Sequence, residues 1–75
     1  MDALEVRFGK TVRRLRERLE VSQEEFAERA GVHRTYASSI ERGKVQVSIT
    51  VAEKLAVALE TTLSKLFKEV EKCEE

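Results

Sequence analysis

Residues 34–42, RTYASSIER, gather two arginines, one threonine and two serines on nine positions. On a helix turning about 100° per residue, Arg34, Thr35, Ser38, Ser39 and Arg42 share one arc, and Tyr36, Ala37 and Ile40 share the other. The polar arc offers short hydrogen-bonding groups, and an arginine at its N-terminal end can give two parallel bonds to guanine O6 and N7. Such an arc suits a helix that lies in the major groove of duplex DNA and reads base edges through Arg34, Thr35, Ser38 and Ser39. The methyl of Thr35 also suits that of a thymine. Tyr36 stands at the border of the two arcs, its ring at the core edge and its hydroxyl within reach of the DNA backbone. No comparable set exists for catalysis, because the single histidine and single cysteine are not accompanied by a nucleophile, base or metal-ligand cluster.

A reading helix must be held by others, and the sequence names them. Ser22 is a good N-cap, and Glu25 three residues on completes the pattern of a capping box, so a helix starts near Gln23. Ala27 is small enough for a second helix to cross closely. Gly31 supplies the positive φ of a sharp turn, and Gly43 stops the next helix, expected over 34–42 with His33 at its N-cap position. Gln23, in the first turn of its helix, can offer a side-chain amide to a phosphate.

With Gln23, Ala27, Gly31, Ala37 and Ile40 at these spacings, the segment resembles the helix-turn-helix of the phage-repressor and Cro-like transcription regulators. The likeness extends through RRLRER, IERGK and LSKLF over residues 8 to 67, and HRTYASSIERG is similar to the controller proteins of restriction-modification systems. The resemblance implies an all-α, compact five-helix, lambda-repressor-like domain binding a double-stranded DNA operator. It also implies that Arg16 pairs with Glu41, joining the first helix to the end of the third. Relatives carry glycine where this chain has Glu20 and Glu60. A prophage repressor or an antitoxin shares these motifs, and a protein-interaction module can use the same fold.

The remaining helices follow from apolar spacing. Leu4, Phe8, Val12, Leu15 and Leu19 mark a helix over 3–19, whose other face carries Arg7, Lys10, Arg13, Arg14 and Arg18 as solvated or phosphate-facing groups. The second helix buries Phe26, Ala27 and Ala30. After Gly43, the residues Arg42, Lys44 and Gln46 are placed to follow the phosphate backbone. Ser48 caps a helix over 49–59 with Val51, Ala52, Leu55, Ala58 and Leu59 inward. Thr62 caps another over 63–72 with Leu63, Leu66, Phe67 and Val70. The last residues, Cys73 included, are expected to fray, leaving a passive exposed thiol.

Seventy-five residues allow one domain with a small core, and one cysteine allows no intrachain disulfide. No apolar run is long enough to span a bilayer and no signal-peptide core begins the chain, so a cytoplasmic protein is expected, with no cofactor and no small-molecule ligand. The formal net charge is zero, although duplex DNA favours basic partners. The charge is segregated: six basic against four acidic residues over 1–20, four against four over 21–47, four against six over 48–75. Non-specific attraction is then weak, and dimerisation must add to affinity. Val47, Ile49, Val57, Phe67 and Val70 exceed the needs of so small a core and are the expected homodimer patch.

Overall fold

The computed structural model describes residues 2–73 and has five helices, with no strand among those residues. In chain order they are α1 Leu4–Arg18, α2 Gln23–Ala30, α3 Arg34–Glu41, α4 Ile49–Ala58 and α5 Leu63–Lys72. Helix α1 packs on both α3 and α5, α2 on α3 and α4, and α4 on α5, so α1 and α4 are the struts that hold the α2–α3 pair.

Each start is chemically local. Ser22, Ser48 and Thr62 hydroxyls accept the N–H three residues on, from Glu25, Val51 and Lys65, at 3.0 to 3.1 Å. The capping box at Ser22 is half made, because the Glu25 carboxylate turns to Arg29 instead, at 2.8 Å. Ala3 begins α1 with no side-chain cap, which its lack of a polar group dictates.

Four helix ends share one construction. A residue with positive φ follows the helix, its N–H bonding back to one carbonyl and the next N–H to another, the Schellman arrangement. Gly31 and Gly43 do this after α2 and α3, with φ of 73° and 70°. Glu20 and Glu60 do it after α1 and α4, with φ of 58° and 61°. Glu20 N–H reaches the Glu17 carbonyl at 3.0 Å and Val21 N–H the Arg16 carbonyl at 3.4 Å. Glutamate thus takes the backbone of the expected glycine, at a steric cost its side chain brings.

The core joins Phe8 and Val12 of α1, Phe26 and Ala30 of α2, Ile40 of α3, Ala52 and Leu55 of α4, and Leu66 and Val70 of α5. Leu15, Leu19, Val32, Tyr36 and Phe67 pack at its edge. Two expectations at the margins are corrected. Leu4 is 53% exposed, on the wall of a surface groove rather than in the core. Cys73 is buried rather than exposed, since α5 runs to Lys72 and its C-cap returns against the core. Of the residues expected to fray, Glu74 and Glu75 lie outside the described ones.

Candidate nucleic-acid interface

Helix α3 turns Ala37 and Ile40 inward, and Tyr36 is half-buried beside them. Arg34, Thr35 and Arg42 are exposed, and Ser38 and Ser39 half-buried, along the opposite arc. The first turn of α3 is fixed by an imidazole. His33 Nδ1 accepts the Thr35 N–H at 3.1 Å, supplying the cap that a serine or aspartate usually gives. The side chains of Arg34 and Lys44 make no hydrogen bond or ion pair among the described residues, so both remain available to an anion or a base edge. Arg42 folds back, its Nε on the Ser38 carbonyl at 3.4 Å.

The base of α3 is locked. Arg16 Nε and Nη2 donate to Glu41 Oε2 and Oε1 at 2.7 and 3.1 Å, a two-bond fork. Arg16 Nη1 also donates to the Val21 carbonyl at 2.9 Å, so one guanidinium ties α1, the α1–α2 turn and α3. The Arg16 side chain is 13% exposed and that of Glu41 4%, which makes this a buried pair. The hydrogen bond to Glu41 raises the Arg16 pKa above the ordinary arginine value, against the opposing pull of desolvation. Gln23 adds a third donor, its Nε2 lying 3.1 Å from Glu41 Oε1. The amide expected to face a phosphate is therefore engaged with one carboxylate oxygen of the lock.

Gln46 is also engaged, donating to Glu5 Oε2 at 2.7 Å and tying the α3–α4 connection to α1. That bond, after a backbone hydrogen bond, holds the Glu5 carboxyl below its ordinary pKa. The two glutamines differ in one respect: the Glu41 charge is neutralised by Arg16, whereas Glu5 has no ion pair among the described residues. Several basic side chains of α1 are taken up by the protein itself. Lys10 pairs with Asp2 at 3.0 Å, Arg13 with Glu17 at 3.1 Å and Arg14 with Glu69 of α5 at 3.0 Å, while Arg7 Nε donates to the Asp2 carbonyl.

The expected dimer patch divides. Val70 is fully buried between α5 and the core, and so cannot belong to an exposed face of this fold. Val47, Ile49 and Phe67 line an apolar groove of about 260 Å³ together with Leu4, Phe8, Val45 and Ala52. Phe67 rests a tilted ring on Phe8, centroids 5.9 Å apart. Ile49, 76% exposed, stands at the groove's edge. Val57, 68% exposed, lies instead beside Arg29, Ala30, Gly31 and Lys54, in a separate hollow.

Gly9, on which the motifs are silent, proves structural to the site, because the end of α3 sits directly on it. A glycine inside an apolar helical repeat is the signal of such an approach. Gly43 is bound in the same way: a Cβ there would meet the Val6 Cα at 2.9 Å.

Two short helices joined through Gly31, the second with its polar arc outward and its base pinned to a supporting helix, make a helix-turn-helix unit. The helix-turn-helix family model matches residues 12–66, and the chain belongs to that family. Within it, the chain is similar to restriction-modification controller proteins. It is 45% identical over 73 residues to the control protein C.MunI of a Mycoplasma species, covering 96% of this chain and 99% of that one. The crystal structure of the restriction-modification controller protein C.AhdI from Aeromonas hydrophila superposes with a TM-score of 0.81 at 40% identity, over 84% of this chain and 96% of that one. The clp gene regulator ClgR from Corynebacterium glutamicum gives 0.92 at 26% identity, over 99% and 95%. These relatives are controllers and gene regulators, not enzymes. No helix among the described residues is long and apolar enough to cross a membrane.

Proposed function

We propose that this protein is a sequence-specific duplex-DNA-binding transcriptional regulator of the restriction-modification controller kind. It acts in the cytoplasm as a homodimer on a near-palindromic operator, with no cofactor and no catalysis. The observation that carries the reading is the exposed arc of α3, with an unengaged Arg34 at its N-terminal end, on a helix whose other end is locked by Arg16. Arg34, Thr35, Ser38 and Ser39 read bases; Lys44 and Arg42 hold phosphates, joined by Gln23 and the Tyr36 hydroxyl. Gln46 is the weakest of the phosphate assignments, because the unneutralised Glu5 beside it repels an anion.

One α3 spans few base pairs, so useful specificity needs two, about 34 Å apart, and a two-fold protein then takes a near-palindromic site. The dimer face is the groove edged by Ile49, with Val47, Phe67 and Leu4. An apolar residue projecting beside an apolar groove can enter the same groove of a second copy, which an isologous interface requires. Val57 lies outside this face. The likeness to ClgR, a gene regulator, keeps open a role outside restriction-modification, and a methyltransferase or endonuclease gene beside this one would decide between them.

The reading is tested by selection from pooled random duplexes at low salt, with ultracentrifugation of wild type and Ile49→Asp. Enrichment of a palindrome, with a wild-type dimer that the aspartate dissociates, supports it. No enrichment, or a monomer at high micromolar concentration with and without DNA, overturns it.

A further inference from the structure

Ser22, Ser48 and Thr62 cap α2, α4 and α5 with hydroxyls, whereas α3 begins at the chain's single histidine. His33 holds that start with two atoms: its carbonyl accepts the Ala37 N–H at 3.0 Å, and its Nδ1 accepts the Thr35 N–H at 3.1 Å. An imidazole nitrogen that accepts carries no proton, so the neutral ring keeps its proton on Nε2. Protonation puts a second N–H where the lone pair was, face to face with the Thr35 donor. It also sets a positive charge at the positive end of the helix dipole. With eight residues, α3 is too short to hold its first turn without cap and packing, and the exposed Arg34 and Thr35 stand on that turn. The charged groups that share a hollow with the ring are Glu24, Glu25 and Glu28 of α2 and Arg34 of α3, Glu25 being paired with Arg29. Among the described residues, α1, α4 and α5 add no side chain to that hollow. Carboxyl and guanidinium groups ordinarily titrate outside the range of about pH 5 to pH 8, within which imidazole changes charge.

We infer that His33 is a positioning residue: its neutral ring keeps the first turn of α3, and with it Arg34 and Thr35, in place for base reading, so that operator discrimination falls as the ring is protonated. This deepens the proposed DNA-binding role and rests on it. A reading turn that frays must be re-formed on the operator, and the affinity drops by the fraction of molecules in which it is formed. A non-operator duplex is held through its phosphates and does not need that turn, while an imidazolium attracts every duplex alike. Protonation therefore acts on the ratio of operator to non-operator affinity. The hydroxyl caps of the other helices have no such dependence, so the effect is confined to the helix that reads.

The test measures that ratio at about pH 8 and about pH 5.5 for wild type, His33→Asn and His33→Ala. Asparagine caps a helix without titrating, and alanine does not cap. In wild type the ratio should fall by roughly fivefold per half-site on acidification, the worth of one N-cap. In His33→Asn it should stay at the wild-type value of pH 8, and in His33→Ala it should be low at both pH values. A level ratio in wild type, an equal fall in His33→Asn, or an alanine variant that matches wild type at pH 8 overturns the inference. Should a variant fail to fold by circular dichroism, a pH titration of free wild type by NMR decides: the Thr35 amide proton should move in step with the ring protons of His33, and an unmoved amide overturns it. A wild type that binds no duplex at either pH overturns the DNA-binding reading and this inference with it, whereas binding with a level ratio overturns the inference alone.

Discussion

Gly9 of α1 faces the carbonyl oxygen of Ile40 so closely that a methyl group in its place would overlap that oxygen and lie 2.8 Å from the carbonyl oxygen of Glu41. The end of the reading helix therefore rests on bare backbone. Because the obstacle is backbone rather than a flexible side chain, neither helix can yield cheaply. Gly9→Ala should lose about 1 to 3 kcal/mol by overpacking, outweighing the roughly 1 kcal/mol that alanine gains in helix propensity. Urea unfolding checks the sign, and a stabilised variant would show that α1 and α3 are further apart.

Removing Arg16 leaves Glu41 buried and unpaired. Arg16→Ala should cost about 3 to 5 kcal/mol, close to the whole stability of so small a domain, and Arg16→Lys should lie between, since an ammonium cannot reproduce the fork. The pH dependence follows from the raised Arg16 pKa. A group whose pKa is raised on folding contributes fully below its unfolded value and loses that contribution only as pH rises through the folded value. Both values lie in the strongly alkaline range, so on the arginine side the gap between wild type and Arg16→Lys should stay constant from about pH 6 to pH 9. Unfolding free energies across that range measure it, and a gap that closes towards pH 9 would contradict the lock's geometry.

Glu20 and Glu60 hold left-handed backbone that glycine adopts without strain. Glu20→Gly and Glu60→Gly should each stabilise by about 0.5 to 1 kcal/mol, the strain relieved exceeding the added freedom of the unfolded chain. Glu60→Gly also loses a 3.7 Å contact with Arg29, exposed enough to matter little. Thermal melts should therefore place Glu20→Gly at least as high as Glu60→Gly, both above wild type.

Arg34 and Lys44, both unengaged, should separate reading from anchoring. Arg34→Ala is expected to cost roughly 1 to 3 kcal/mol per half-site on the preferred operator and to flatten discrimination at one base position, with non-specific affinity nearly unchanged. Lys44→Ala should weaken all duplexes by similar factors and lower the salt slope, because it removes a released counterion. Affinities for the operator and its single-base substitutions at two salt concentrations provide the comparison. If Arg34→Ala weakens every duplex equally, Arg34 is an anchor and reading passes to Thr35, Ser38 or Ser39.

The amino-acid sequence by itself determined the five helices, because their causes are local: apolar spacing, the caps at Ser22, Ser48 and Thr62, and the turns at Gly31 and Gly43 act within a few residues. It also determined the two arcs of α3, which follow from the helical repeat alone. The Arg16–Glu41 pair came from resemblance to a family, since nothing in a 25-residue separation announces a contact. Only the tertiary structure decided that Gln23 and Gln46 each hold a glutamate, that Val70 is core while Ile49 is bare, that Cys73 is covered, and that Gly9 is a contact point. Each depends on where another helix crosses. An apolar residue at the right phase of its own helix is buried only if a second helix arrives to cover it, and the arrival of α1 over α3 and of α5 over α1 is written in no single stretch of sequence.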